Sequence, residues 1–407
     1  MNKQDIGMLI RVNRIAQNMS IRSFAHFIGI EYSQLSKIER GIESSNEDTI
    51  QAIFDGLDID MTGLDDFLEE SRKINSRFLT EVYFFHDITH VEDLKLSLDQ
   101  LTKDYALSHY ALIDYLLYYL AKSDTEKMAE CVQILNEIIS FASLQDCQTI
   151  YHSLAHYEYL LDHYADAEEL IVQADKNFIN NRRHALILYQ HGLIQMSTGK
   201  LFEAHDALSQ AKELFESENN LTRSFMCKIY LSEILIAVGK YEYALNTYQE
   251  LLKLNKTLSI SPVFVTRIYV GMFYIYAYQQ DFTSFFELYH HLDEKTIDCL
   301  KRYSIFYALL IYSLYSTNQI DICKKIIRSY RNIKKGLVDQ LMIEYYRLLA
   351  LNKSNIEFEM TFNKFFIRLD RTPINYYQKN MLKLFLKCLE STQNYPVLYR
   401  LSTYILK

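Results

Sequence analysis

The sequence contains no tryptophan, and only 3 prolines and 10 glycines in 407 residues. A chain this short of helix breakers and turn formers is not written as a β-sandwich or an α/β enzyme, whose many reversals need such residues. Its six cysteines (Cys131, Cys147, Cys227, Cys299, Cys323, Cys388) are scattered, without a CxxC pair. That excludes a zinc-ligand pattern and leaves reduced core thiols as the expectation. Nowhere are there about 18 uninterrupted apolar residues, and the N-terminus is polar rather than signal-like. A membrane span and secretion are therefore not expected. The chain also lacks a Gly-rich phosphate loop and a recognisable nucleophile–base pair, so it is not expected to be an enzyme or to carry a cofactor.

What is present is apolar and aromatic: 49% of residues are hydrophobic, with 33 tyrosines and 23 phenylalanines. Long apolar-periodic runs with so few breakers predict an all-α chain. The length fits two or three domains, or one small domain followed by a long repeat array. Charge is uneven. Residues 1–45 carry six basic and four acidic side chains, whereas 67–300 carry 19 basic and 33 acidic. Residues 301–407 reverse this, with 18 basic and 7 acidic. The first asymmetry marks a small N-terminal module. The basic tail is expected to pack against the acidic middle of the chain or of a partner subunit, or to offer a second interaction surface.

The first sixty residues read as short helices. A first runs over Asp5–Gln17, with Ile6, Leu9, Ile10, Asn13 and Ile15 on one period and Arg11 and Arg14 elsewhere. Ser20 can cap a second, Ile21–Ile28, which Gly29 ends. A third spans Tyr32–Glu39, with Leu35 and Ile38 as its apolar stripe, and Gly41 stops it. Thr49–Gly56 and Asp65–Ser71 supply more helix. Two short helices joined by a tight turn form a helix-turn-helix layout. A recognition helix turns its early polar side chains to base edges in the major groove. Here these are Tyr32, Ser33, Gln34, Ser36 and Lys37. Gln34 can bond bidentately to adenine, and Lys37 can reach guanine or a phosphate. Arg11, Arg14 and Arg40 are expected on phosphates, where they position without specifying sequence.

Further along, small and large residues recur. Gly192, Gly199, Leu201, Ala204, Leu208 and Ala211 are echoed by Ser232, Gly239, Tyr241, Ala244, Tyr248 and Leu251. Earlier come Ala155, Asp162, Tyr164, Ala167, Ile171 and Ala174. Small residues fit where two antiparallel helices cross closely, and large ones fill the space between pairs. These periods predict a helical-repeat solenoid of the tetratricopeptide (TPR) kind. A degenerate fourth unit falls around Phe273, Phe282, Phe285 and Tyr289, and a fifth around Ile311, Ile320 and Cys323. Lys103–Leu120 and Cys131–Ser143 would add one or two earlier pairs, and a generic helical bundle is the alternative. The predicted domains are 1–66, a helix-turn-helix DNA-binding domain, and 67–407, a TPR-like helical-repeat domain. In register, the first helix of each pair lines a groove with His152, His156, Tyr159, Tyr189, Leu193, Met226, Ile229, Glu233, Arg267, Val270 and Tyr274. Aromatic side chains with a few polar anchors suit a short, partly hydrophobic peptide. His152 and His156 lack an acidic or cysteine partner at fixed spacing, so no metal site is expected.

Residues 8–59 resemble the Cro/repressor-like (XRE) helix-turn-helix family. The resemblance rests on Ser20-Ile21-Arg22-Ser23-Phe24-Ala25 through Gly29-Ile30 to Leu35-Ser36-Lys37-Ile38-Glu39-Arg40-Gly41, and covers about one-seventh of the chain. It implies that Gly29 occupies the inter-helix turn and that Glu39 and Arg40 pack or pair around the end of the recognition helix. Two positions depart from the family pattern. Ile21 stands where Gln is usual, and Glu31 stands where Ser or Thr caps the recognition helix.

An XRE-like head on a TPR-like body resembles the peptide-pheromone receptors of Gram-positive bacteria, the RRNPP group of Rgg/PlcR/PrgX-like regulators. That resemblance implies a cytoplasmic, quorum-sensing homodimer that binds double-stranded operator DNA and is controlled by a short signalling peptide, with 67–407 as its regulatory and dimerisation domain and the last helices as C-terminal capping helices. No membrane partner is implied. An alternative is a helix-turn-helix regulator whose repeats dock another protein.

Overall fold

The computed structural model describes residues 3–43, 46–84, 88–104, 106–122, 124–177, 179–258, 260–330, 337–353, 355–369 and 376–405. These form 23 α-helices, one short 3-10 turn (Ile139–Phe141) and no strand. The head contains α1 (Lys3–Ala16), α2 (Ile21–Phe27), α3 (Tyr32–Glu39) and α4 (Glu47–Gly56), and α5 (Leu64–Phe84) leads out of it. There follow α6 (Ile88–Asp104), α7 (His109–Lys122), α8 (Thr125–Ile138), α9 (Leu144–Leu160), α10 (Tyr164–Lys176), α11 (Asn181–Thr198) and α12 (Leu201–Ser217). Next are α13 (Leu221–Ala237), α14 (Tyr241–Leu258), α15 (Pro262–Gln279), α16 (Phe282–His291), α17 (Glu294–Leu300) and α18 (Ser304–Ser316). The chain closes with α19 (Ile320–Ser329), α20 (Leu337–Ala350), α21 (Asn355–Leu369), α22 (Tyr376–Ser391) and α23 (Tyr395–Ile405).

The repeat period is visible in the backbone. Asp162, Gly199, Gly239, Gln280, Asn318, Asn352 and Gln393 all have positive φ. Each stands between the two helices of a pair, from α9–α10 to α22–α23, at intervals of roughly forty residues, as repeating helix pairs require. Left-handed backbone costs little for glycine and is tolerated by Asn and Asp. Gly199, Gly239 and Asp162 hold the same place in the three units whose residues recur in sequence. The fourth and fifth units reverse through Gln280 and Asn318, and two more pairs follow.

Two compact units divide the chain: residues 1–194 with 210–223, and residues 195–209 with 224–407. In the first, the head builds its own core from Leu9, Ile10, Phe24, Ala25, Leu35, Ile38, Ile53 and Phe54. The opposite face of α1 supplies Met8, Val12 and Ile15 to a second core, with Ile74, Phe78 and side chains of α6 to α9. Helix α5 is shared in the same way. Leu64, Phe67 and Leu68 enter the head core, and Ile74 and Phe78 enter the other. The helix expected at Asp65–Ser71 therefore runs on to Phe84, because no Gly or Pro interrupts it and both halves have an apolar partner. Asn13 adds a polar clamp. Its Nδ2 donates to Leu9 O (2.8 Å) and Leu107 O (2.9 Å), and Leu107 N donates to its Oδ1 (3.1 Å).

In the second unit α18 is apolar all round. Phe306 through Tyr312 are buried without a break, as in a helix enclosed on every side. The Phe273 ring lies tilted against those of Phe285 (4.6 Å) and Phe306 (5.3 Å). Helix α22 carries lysines at four-residue spacing, which puts them on one face. Lys387 Nζ donates to Tyr278 O at 2.7 Å and Lys383 Nζ to Ala237 O at 3.5 Å, near the C-terminal ends of α15 and α13. Cations at those ends meet the negative pole of the helix. Part of the basic tail thus packs within its own unit.

Candidate functional site

Helix α3 begins and ends at the residues expected. Gly29 (φ 72°) makes the turn from α2, and Ser20 caps α2 by accepting from Ser23 N at 3.1 Å. Glu31 precedes α3 without a side-chain cap bond. At the other end Gly41 N donates to Ile38 O (2.9 Å) and Ile42 N to Lys37 O (3.0 Å). These paired bonds through a left-handed Gly41 (φ 66°) satisfy carbonyls that the helix end would orphan. Leu35 and Ile38 are buried, which aims the opposite face outward. Tyr32, Ser33 and Lys37 are exposed, and Gln34 and Ser36 half-buried. Lys37 Nζ lies 3.1 Å from Glu43, an exposed pair of the kind that contributes little and exchanges readily. Arg22 reaches over the Tyr32 ring at 5.4 Å. Arg40 is exposed.

Arg11 and Arg14 correct the expectation placed on them. Both are buried, at 8% and 7% exposure. Arg14 makes a two-pronged pair with Glu39, Nε to Oε1 at 2.6 Å and Nη2 to Oε2 at 3.0 Å, and its Nη1 donates to Met19 O at 2.6 Å. Arg11 lies 3.5 Å from Glu39 Oε2, with its guanidinium 3.3 Å from the Phe141 ring centre. Burial draws the Arg11 guanidinium below its usual pKa. Both cations are spent on Glu39 and on packing, so neither is presented to a phosphate. Arg40 is the phosphate candidate of the three that stays on the surface.

The eleven groove candidates fall in both units. In the first, His152 and His156 are half-buried on α9, one turn apart. Burial, then each other and Arg223, push His152 down to about 3. Burial and Arg223 push His156 down to about 4. Both imidazoles are therefore held neutral. Tyr159 stays half-exposed, with its ring 5.8 Å from that of Tyr164. Tyr189 and Leu193 are buried. Tyr189 lies edge-on to Phe215 at 6.3 Å, with Arg223 above it at 5.4 Å, so it belongs to packing rather than to an open wall. Arg223 and Asn220 are themselves occupied, both donating to Tyr83 O near the end of α5. Glu158, His163 and Asp166 bring ligand-type atoms within 4.8 Å of one another. His163 Nδ1 already bonds Glu158 Oε2 at 2.8 Å.

In the second unit Ile229 is fully buried and Met226 nearly so. Neither is in the wall of the cavity that their neighbour Glu233 lines, which corrects their assignment to the groove. The remaining four candidates do come together. Glu233, Arg267, Val270 and Tyr274 line one cavity of about 480 Å³, with Ile236, Val263, Phe264 and Gly271. The sequence reading missed the rest of its wall: Arg302, Tyr303, Ser304, Ile305 and Asp339, and Gln378, Asn380 and Met381 from α22. Arg267 pairs with Glu233 at 2.5 and 3.1 Å, and its guanidinium lies 4.4 Å from the Tyr230 ring centre. Tyr274 donates its hydroxyl to Asn380 O at 3.0 Å. Asp339 is buried and accepts from Ser304 Oγ at 2.7 Å. Burial pushes its carboxyl up to about 6.

These features define an all-helical protein with a helix-turn-helix head on a run of helix pairs. Residues 10–64 match the family model described as helix-turn-helix. No curated protein sequence matches the chain. Among solved structures it is similar to a Rap protein complexed with competence and sporulation factor (12% identity, TM-score 0.64, covering 83% of this chain and 97% of that one). It is also similar to the apo form of the quorum sensor NprR from B. thuringiensis (14% identity, TM-score 0.57, 83% and 98%). NprR in complex with its cognate peptide NprX gives 16% identity and a TM-score of 0.52, covering 82% of this chain and 99% of that one. At these identities the likeness is one of fold. Among the described residues no helix is long and apolar enough to cross a membrane.

Proposed function

We propose that the protein is a DNA-binding transcription regulator controlled by a short signalling peptide held by its repeat region. The outward polar row on α3 carries this reading, set on a buried Leu35–Ile38 stripe inside a matched helix-turn-helix. Tyr32, Ser33, Gln34, Ser36 and Lys37 are its base-reading side chains, with Arg40 on the phosphates. The peptide half is supported by the fold shared with NprR, a quorum sensor that forms a complex with its cognate peptide NprX. Support also comes from the cavity beside Arg267 and Tyr274. In this reading residues 1–66 are the DNA-binding domain and 67–407 the regulatory and dimerisation part of a cytoplasmic homodimer.

The mechanism follows from shared elements. Helices α1 and α5 each serve two cores, so the head cannot reorient without disturbing α6 to α9. A ligand that favours one arrangement of the body shifts the population of head arrangements. Paired heads must span half-sites about 34 Å apart to read one face of the duplex, so such a shift changes operator affinity.

The test is a titration of the full-length protein against the DNA upstream of its own gene, with and without synthetic fragments of any peptide encoded beside it. Gln34→Ala with Lys37→Ala is expected to weaken specific binding at least tenfold, since a good base contact discriminates by about 1–3 kcal/mol, with helicity unchanged. Undiminished specific binding would remove these residues from the reading.

A further inference from the structure

The cavity in the second unit has an uneven charge pattern. Ile236, Val263, Phe264, Val270, Tyr274 and Met381 give it apolar walls. Its cationic and anionic groups do not balance in what they offer a ligand. Glu233 and Arg267 neutralise each other through two short bonds. Asp339 is buried and bonded by the Ser304 hydroxyl; with its carboxyl raised to about 6 it is still charged at neutral pH, but it is turned to that bond rather than to an ion pair with Arg302. The Tyr274 hydroxyl is committed to Asn380. Arg302 is different. It lines the same cavity, is exposed, and has no ion-pair partner among the described residues. An apolar cavity whose carboxyls are buried and bonded, with one unpaired guanidinium at its exposed edge, attracts an anion attached to an apolar body.

Resting on the peptide-receptor reading above, we infer that this cavity takes the C-terminal end of a short apolar peptide, with the last side chain between the walls and the terminal carboxylate on Arg302. A terminal carboxylate is joined directly to the Cα that bears the last side chain. The side chain can enter while the charge stays at the exposed edge and keeps part of its hydration. A mid-chain Asp or Glu carries its charge on the side chain itself, which would have to enter apolar walls where the half-buried cation, Arg267, is already paired. A planar guanidinium also matches a carboxylate with two parallel bonds.

The test uses the full chain and two random hexapeptide pools, one with free C-termini and one amidated. Sequences retained by the protein are resynthesised in both forms with an N-terminal fluorophore. Affinities are measured by anisotropy for the wild type, Arg302→Gln and Val263→Trp. Both positions are exposed, so thermal unfolding is expected to be unchanged. Amidation should weaken binding by about tenfold or more, the worth of one charge-assisted contact. Arg302→Gln should weaken the acid form by a similar factor and leave the amide form unaffected, as directly coupled partners do. Val263→Trp should weaken both forms by filling the cavity's edge. Peptides that bind equally as acid and amide, or lose equally in both forms with Arg302→Gln, would overturn this site and leave the receptor reading standing. If neither pool yields a binder, the receptor reading fails and this site with it.

Discussion

Arg14 and Glu39, 25 residues apart in the chain, form a buried two-pronged ion pair that fastens α1 to the end of α3. A pair with no exposed partner is costly to break from one side, because the surviving charge stays buried. Arg14→Ala is expected to destabilise the head by about 3–5 kcal/mol and to abolish DNA binding through loss of fold. Arg40→Ala should leave the unfolding midpoint in place and lower affinity for all duplexes alike, with a shallower salt dependence. Urea unfolding followed by helicity, beside duplex titrations at two salt concentrations, separates the two. Equal stability losses would mean that Arg14 and Arg40 have not been told apart.

Asn13 closes both its amide groups on the backbone of Leu107, which ties the head's first helix to the segment before α7. Asn13→Ala would leave the half-buried Leu107 backbone groups without these partners, at about 1 kcal/mol. The expected signature is selective: faster amide exchange in α1 and at residues 106–108, with little change in α20 or α22. If operator binding is governed by how the body holds the head, the same variant should narrow the difference in DNA affinity between peptide-bound and free protein. An unaltered difference would show that this clamp does not transmit the signal.

His152 and His156 sit at about 3 and about 4 because burial disfavours their charged forms. A histidine depressed in the fold contributes stability that is present above its unfolded value, near 6.5, and is lost as pH falls below it. Between pH 6.5 and about 4 the native state therefore loses stability with a slope approaching two protons. His152→Gln with His156→Gln should flatten that slope in chemical unfolding measured at pH 7.5, 6.0 and 5.0. A wild-type slope retained by the double variant would assign the acid sensitivity to other groups.

Some of this architecture is readable in residue types and some is not. The limits of α3, the Ser20 cap and the stop at Gly41 follow from local chemistry and hold in the structure. So do the repeat turns at Gly199 and Gly239. Asp162 holds the same place in the earlier unit, but the turns at Gln280, Asn318, Asn352 and Gln393 fall outside the three units in which small and large residues recur, and no glycine marks them. Arg11 and Arg14 show the same limit in a sharper form. A basic residue on a short helix reads alike whether it faces solvent or a carboxylate, and Glu39 declares itself as their partner only once α1 lies against α3. The cavity was half legible. Glu233 and Tyr274 share a register position in successive repeats, and Arg267 and Val270 lie on the same face of α15 as Tyr274, but Arg302, Asp339 and Asn380 join them through folding contacts that no local period encodes.

Asp339 offers the clearest change with pH at the cavity. Its carboxyl is raised to about 6 by burial, against an ordinary value of 3.8. A carboxyl raised in the fold contributes stability that is fully present below its unfolded value and is lost as pH rises through the folded one. At pH 8 the native state holds a charge it disfavours, with the Ser304 hydroxyl as its bond. Asp339→Asn keeps an oxygen for Ser304 to donate to and removes that charge. The variant is therefore expected to be more stable than wild type at pH 8, by up to about 2–3 kcal/mol, with the gap closing as pH falls toward 4.5. Denaturant unfolding at the two pH values reads this directly. The same substitution bears on the ligand: with the negative charge gone, an anionic peptide end at Arg302 meets less repulsion, so its affinity should rise at pH 8 and change little at pH 5. A variant less stable than wild type at pH 8 would mean that the Asp339 charge is compensated and that its burial does not set its chemistry.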